Sequence, residues 1–166
     1  MSNAALTRPQ EFWQTHALPN IRDFRNDPAD QRKAMNAALS AFHMRDYVWM
    51  TYHISDLTKV FQQTASAYDF ALYLIGHECP DFTLIRDLAN AHKHMKLNLN
   101  PTRIIASAQA MGLERRGWEF LSKFPLSWLK TTVIMIELED RTEVDFAPAL
   151  YNVEQMWEEL IQRLDL

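Results

Sequence analysis

The sequence predicts a mainly α-helical bundle carrying a small antiparallel β-appendage, an α+β chain. Three observations predict it. Apolar residues recur at helical spacing in four long segments. Three glycines in 166 residues are too few for a turn-rich all-β fold. One β-branched run, Thr131–Leu138, departs from the helical pattern. Apolar residues make up 48% of the chain, enough for a real core. The length fits one domain over 1–166, with a bundle at 9–97 and 148–166 and the β-appendage at about 102–146.

The elements follow in order. Pro9 opens a short helix that Pro19 closes. Asn26-Asp27-Pro28 announces a long helix to about residue 53: Asp27 caps it, Pro28 fits its first turn, and Met35, Leu39, Phe42 and Trp49 form its stripe. Ser55 or Asp56 caps the next, over 57–76, with a break near Thr64–Ser66 and Gly76 as its stop. Cys79-Pro80-Asp81 opens a helix ending near Leu97. Short turns between these segments are the pattern of an antiparallel bundle. Thr102–Ala106 is a candidate strand, and 113–130 is irregular. Thr131–Leu138 pairs with Glu143–Phe146 through Asp140-Arg141-Thr142, and either Ile104 or a neighbour adds a third strand or the pair rests on a helix. Pro148 starts a last helix with the stripe Leu150, Val153, Trp157, Leu160, Ile161 and Leu164. The expected common core holds Leu39, Trp49, Phe61, Leu72, Leu88 and Trp157.

Composition excludes several function classes. The single Cys79 rules out an internal disulfide framework and fits a reducing, cytoplasmic setting. No apolar run approaches the ~20 residues of a membrane span, and no secretion signal is expected. No Gly-rich phosphate loop, nucleophile elbow or zinc-protease motif occurs, so no cofactor is expected. His77, Glu78, Cys79, His92 and His94 lack zinc spacing, so no metal site is expected. The net charge of −4 is unevenly spread. Residues 82–113 carry Arg86, Lys93, Lys96 and Arg103 against Asp87 alone, whereas nine acids follow from Glu137 onward. Opposite charges of this kind attract within a chain or between subunits.

The chemistry concentrates in Arg86-Asp87-Leu88-Ala89-Asn90-Ala91-His92-Lys93-His94. With about 100° per residue, Arg86, Asn90, Lys93 and His94 share one polar face, and His92 borders the apolar side. Arg and Lys hold a phosphate and offset developing negative charge, and His moves protons near neutral pH. Those groups suit cleavage of RNA without a metal. On the preceding long helix His43 and Asp46 lie one turn apart; Asp46 either orients a histidine or pairs with Arg86 across the bundle. Trp118 and Trp128 are expected to pack over the sheet.

The pattern of Arg, a polar residue, and His after five intervening residues on a bundle helix resembles the HEPN superfamily. Arg86, Asp87 and His92 carry the resemblance, which covers one helix and the bundle in outline. Together with Cys79-Pro80 the segment also resembles small bacterial and phage proteins without an assigned activity. The superfamily resemblance implies RNA binding or metal-independent endoribonuclease activity on single-stranded RNA. It implies a composite site across a homodimer, in which Arg86 and His92 are catalytic. The helix wheel adds His94 as the alternative to His92 for the general base, and Asp87, Asn90, Lys93 and Asp46 are the candidate binding residues. The alternative is a non-enzymatic module that binds a protein partner through the acidic C-terminal helix or the appendage.

Overall fold

The computed structural model describes residues 8–61, 65–94, 105, 111–116 and 131–166. The predicted fold class is observed: a helical bundle with a three-stranded antiparallel sheet of order β1-β2-β3. The expected strand around Ile104 and the tryptophans Trp118 and Trp128 lie outside the described residues, while Ile105 is fully buried.

The first helical stretch is longer than predicted. Pro9–Phe12 (α1) continues through a π-helical turn, Trp13–Ala17, into Leu18–Asn26 (α2). Pro19 does not end it, because Pro19 sits in the first turn of α2, where a missing N–H costs no helical bond. Gln31–Tyr52 form α3. Its cap is Asp30 rather than Asp27: the Asp30 carboxylate accepts from the Arg32 and Lys33 amides at 2.8 and 3.1 Å. Asp27 instead accepts from Lys33 Nζ at 2.8 Å.

The packed face of α3 is built of small residues. Ala34, Ala37, Ala38, Ala41, Met44 and Val48 are all fully buried, at the 3–4 residue spacing of a helix seam. Alanines on that seam let neighbouring backbones approach closely. The larger predicted residues Leu39 and Trp49 are half-buried at its flanks.

The helix expected over 57–76 is not continuous: its α-helical part begins only at Ala67, and Thr64 of the expected break lies outside the described residues. Asp56 caps a 3-10 helix, Leu57–Val60, and Phe61 then takes a left-handed conformation with φ 59°. Ser66 caps Ala67–His77 (α4). Gly76 lies inside α4, which ends one residue later. Of the expected core residues, Leu88 and Trp157 are fully buried, Phe61 packs against the core, and Leu72 is half-buried.

Phe82–His94 (α5) packs against α3, α4 and the last helix. Met111–Arg116 (β1), rather than the segment around Ile104, supplies the third strand, so 113–116 are strand and not irregular as expected. It pairs antiparallel with Thr131–Glu137 (β2), Leu113 opposite Ile134, and β2 pairs with Glu143–Asp145 (β3), Ile136 opposite Val144. The expected turn is there: the Asp140 carboxylate accepts from the Thr142 amide at 2.9 Å, and Arg141 is left-handed at φ 68°. Asp145 then caps Phe146–Leu164 (α6), which begins two residues before the predicted Pro148. Sheet and bundle meet where α6 rests on β2, whose Ile134 and Ile136 are buried.

One acid of α6 is buried where that helix meets α2. Glu154 is buried and accepts from Arg25 of α2, whose guanidinium also lies over Tyr151 at 4.9 Å. Burial pushes the Glu154 carboxyl up, Arg25 offsets part of this, and nearby Glu158 adds to it. A raised carboxyl binds its proton more tightly in the folded state, so this group's stability contribution falls as pH rises through its raised pKa. Glu154→Gln therefore has a Tm equal to or above the parent at neutral pH, and the gap closes on acidification. A gap that opens on acidification in Tm-against-pH profiles refutes this.

Among the described residues no helix is long and apolar enough to cross a membrane.

Candidate functional site

The site begins with where α5 runs. Three helices pack against it, and they enclose its polar side at Arg86. Arg86 and Asp87 are each 2% exposed, which corrects the expectation of a solvated basic face at Arg86. A charge this deep requires a partner, and the neighbouring residue provides one: Arg86 Nε donates to Asp87 Oδ1 at 2.8 Å. Asn90 is half-buried. His92, Lys93 and His94 belong to the same unbroken helix; their side chains lie outside the described residues.

The facing helix α3 brings a second charged group. Arg45 continues the alanine seam, eleven residues after Ala34 and four after Ala41, so the backbone delivers it toward the core rather than to solvent. Its guanidinium lies over the Phe42 ring at 3.9 Å. Asp46 is shared: its Oδ2 accepts from His43 Nδ1 at 3.0 Å, and its Oδ1 lies 3.2 Å from Arg45 Nε. The Asp46 partners are thus on its own helix rather than on α5. Because a carboxylate accepts, Nδ1 is the donating nitrogen of His43 in this contact.

Exposure is graded through this cluster. The side chains of His43 and Asp46 are 50% and 36% exposed, that of Arg45 15%, and those of Arg86 and Asp87 3% each. The electrostatics follow the gradient. Burial lowers the Arg45 pKa, Asp46 opposes this, and the like charge of Arg86 adds to it, so the two arginines are close enough to repel. Burial disfavours the Asp46 charge, but the His43 hydrogen bond and the Arg45 charge outweigh it and hold the carboxyl low. Arg45 Nε is buried and has no hydrogen-bond partner, because its approach to Asp46 is close but poorly aligned.

Of the residues predicted for the site, Arg86 and Asp87 thus pair with each other on α5, and Asp46 pairs with His43 and Arg45 on α3; the two groups meet through the like charge of Arg86 acting on Arg45. Arg45 joins them without having been predicted. Two signals mark it: it lies on the core seam of α3, and Arg45-Asp46 repeats on α3 the Arg86-Asp87 pair of α5.

Elsewhere two clefts flank α6. One of about 260 Å³ is lined by residues including Cys79, Asp81, Asn152 and Met156. The other, about 520 Å³, lies against Leu18, Arg22, Arg25, Tyr151 and Glu158. Neither is lined by a residue predicted for the site. Cys79 is buried, and burial pushes its thiol pKa up, so it is a poor nucleophile. Among the described residues no group of three or more His, Cys, Asp or Glu is placed to hold a metal ion.

No family model, curated protein or solved structure matches this chain.

Proposed function

We propose that this chain is a HEPN-like RNA-binding protein that holds single-stranded RNA without cutting it. One observation carries the second half of the reading: the motif arginine, Arg86, is 2% exposed and bonded to Asp87. A cation that stabilises a scissile phosphate must reach it, and Arg86 is closed off and offset by a carboxylate. RNA binding is supported by the resemblance carried on α5, by the charged cluster facing it, and by His43 and Arg45 at the cluster's outer end.

Labelled single-stranded RNA in fluorescence anisotropy at low salt, with a parallel gel assay in chelator, tests this. Expected are saturable binding that weakens as salt rises and intact RNA. Cleavage that survives chelator and is lost in His92→Ala or His94→Ala replaces it with the endoribonuclease reading, in which those histidines and Arg86 act in a composite homodimer site.

A second reading is a non-enzymatic protein-interaction module. Met50 near the end of α3, Ile54 in the turn after it and Leu57 at the start of the 3-10 helix are large apolar residues left exposed, Ile54 to 84%. Grouped exposed apolar side chains mark interaction surfaces. Absence of RNA binding at low salt leaves this reading in place.

A further inference from the structure

We propose that Arg45, with His43 beside it, is the phosphate contact of this protein, binding a phosphate oxyanion at the mouth of the α3–α5 cluster. The inference rests on the RNA-binding reading for its biological ligand and on geometry for its place.

Three observations converge on Arg45. Its position is preorganised: the core seam of α3 directs it inward, and the Phe42 ring at 3.9 Å holds the guanidinium plane. Its ion pair is shared: Asp46 lies 3.2 Å from Arg45 Nε but also accepts from His43, and Arg45 Nε is buried without a well-aligned hydrogen bond. The helix packed against α3 carries a second guanidinium, Arg86, which is paired with Asp87 and acts on Arg45 through its like charge. An anion beside Arg45 relieves repulsion between the two guanidiniums and gives Arg45 the planar two-oxygen partner it prefers. His43, half-exposed on the other oxygen of Asp46, adds a second donor when protonated. A phosphate, with more charge and more acceptor oxygens than a carboxylate, matches this set best. The outer side chains reach solvent, whereas Arg86 does not, so Arg86 acts on the ligand through charge alone.

The full chain is titrated calorimetrically with inorganic phosphate and with adenosine monophosphate in chloride buffer, and RNA binding is followed across a salt series. Both small ligands are expected to bind. Arg45→Gln, folded by circular dichroism, lowers their affinity tenfold or more, and Arg45→Lys falls between. Arg45→Gln also reduces the slope of log affinity against log salt for RNA by about 0.7, the change expected when a single strand has one phosphate fewer neutralised. Tighter binding of the mononucleotide than of inorganic phosphate assigns the oxyanion to a nucleotide; equal binding assigns it to phosphate alone, and both support the contact. Equal affinity in parent and Arg45→Gln overturns the proposal. Should Arg45→Gln not fold, the His43 ring proton resonances of the parent decide: a shift on adding phosphate supports the contact, and an unmoved resonance overturns it. RNA binding whose salt slope is unchanged in Arg45→Gln removes this contact but leaves the RNA reading standing. Arg45-dependent phosphate binding without RNA binding removes the RNA reading and leaves the contact.

Discussion

Trp157→Ala is expected to lower stability by about 3–5 kcal/mol. Trp157 is fully buried on α6, and its indole Nε1–H donates to the Ala41 carbonyl of α3 at 2.9 Å. Its ring meets Phe82, at the start of α5, edge-on with centroids 6.0 Å apart. One side chain thus joins three helices. Truncation opens a cavity among them and removes a buried hydrogen bond together. In a chain of this size each kcal/mol moves Tm by roughly 2–4 °C, so a fall of about 6–20 °C is expected. Trp157→Phe keeps most of the apolar contact and leaves the Ala41 carbonyl without the indole donor, so its cost is expected at about 1–3 kcal/mol. Urea unfolding checks both, with an unchanged m-value showing that stability itself has moved. A drop below about 1.5 kcal/mol for the alanine variant removes Trp157 from its central role.

The parts of this fold that were legible are those in which one physical signal dominates. The stripe on α6 alternates large apolar and charged residues at helical period, and its buried set includes the predicted Leu150, Val153, Trp157 and Leu160. The β2 run and its turn carry β-branched residues and an Asp that closes on its own backbone. Sequence and structure part where one residue type serves two purposes. Pro19 fits equally after a helix or in the first turn of the next, and here it does the second. Asp27 and Asp30 both suit a cap, and only the backbone geometry selects Asp30. The α3 seam is alanine, which carries too weak a hydrophobic signal to compete with Leu39 and Trp49.

The candidate site was legible as chemistry but not as depth. A wheel with one apolar side assumes a helix lying on the outside of a core. Leu84, Ile85, Leu88, Ala89 and Ala91 are all buried, and they span roughly 160° of that wheel. Such a width signals a helix enclosed by several neighbours, and it leaves the polar arc holding Arg86 and Asp87 to face protein as well. Arg45 was illegible for the converse reason: an arginine on an alanine seam reads as surface until the seam itself is recognised.

Arg86→Met is expected to cost about 3–5 kcal/mol, and Arg86→Met combined with Asp87→Leu is expected to recover most of it. The two side chains are 3% exposed and bonded at 2.8 Å. Removing the cation leaves a carboxylate in a place that solvates it poorly, which is the large cost; removing both charges takes away that cost together with the desolvation the pair already bears. The double-mutant cycle should then show a coupling of about 2 kcal/mol or more, read from denaturant unfolding of the parent, both single variants and the double variant. The same four proteins separate a structural arginine from a ligand-contacting one. A structural Arg86 predicts that the double variant, once refolded, binds single-stranded RNA within about threefold of the parent, because Arg45 and His43 are untouched. If Arg86→Met instead unfolds within about 1 kcal/mol of the parent while RNA affinity collapses, Arg86 reaches the RNA directly. The burial of Arg86, on which the proposal of binding without cleavage rests, would then belong to the free chain only.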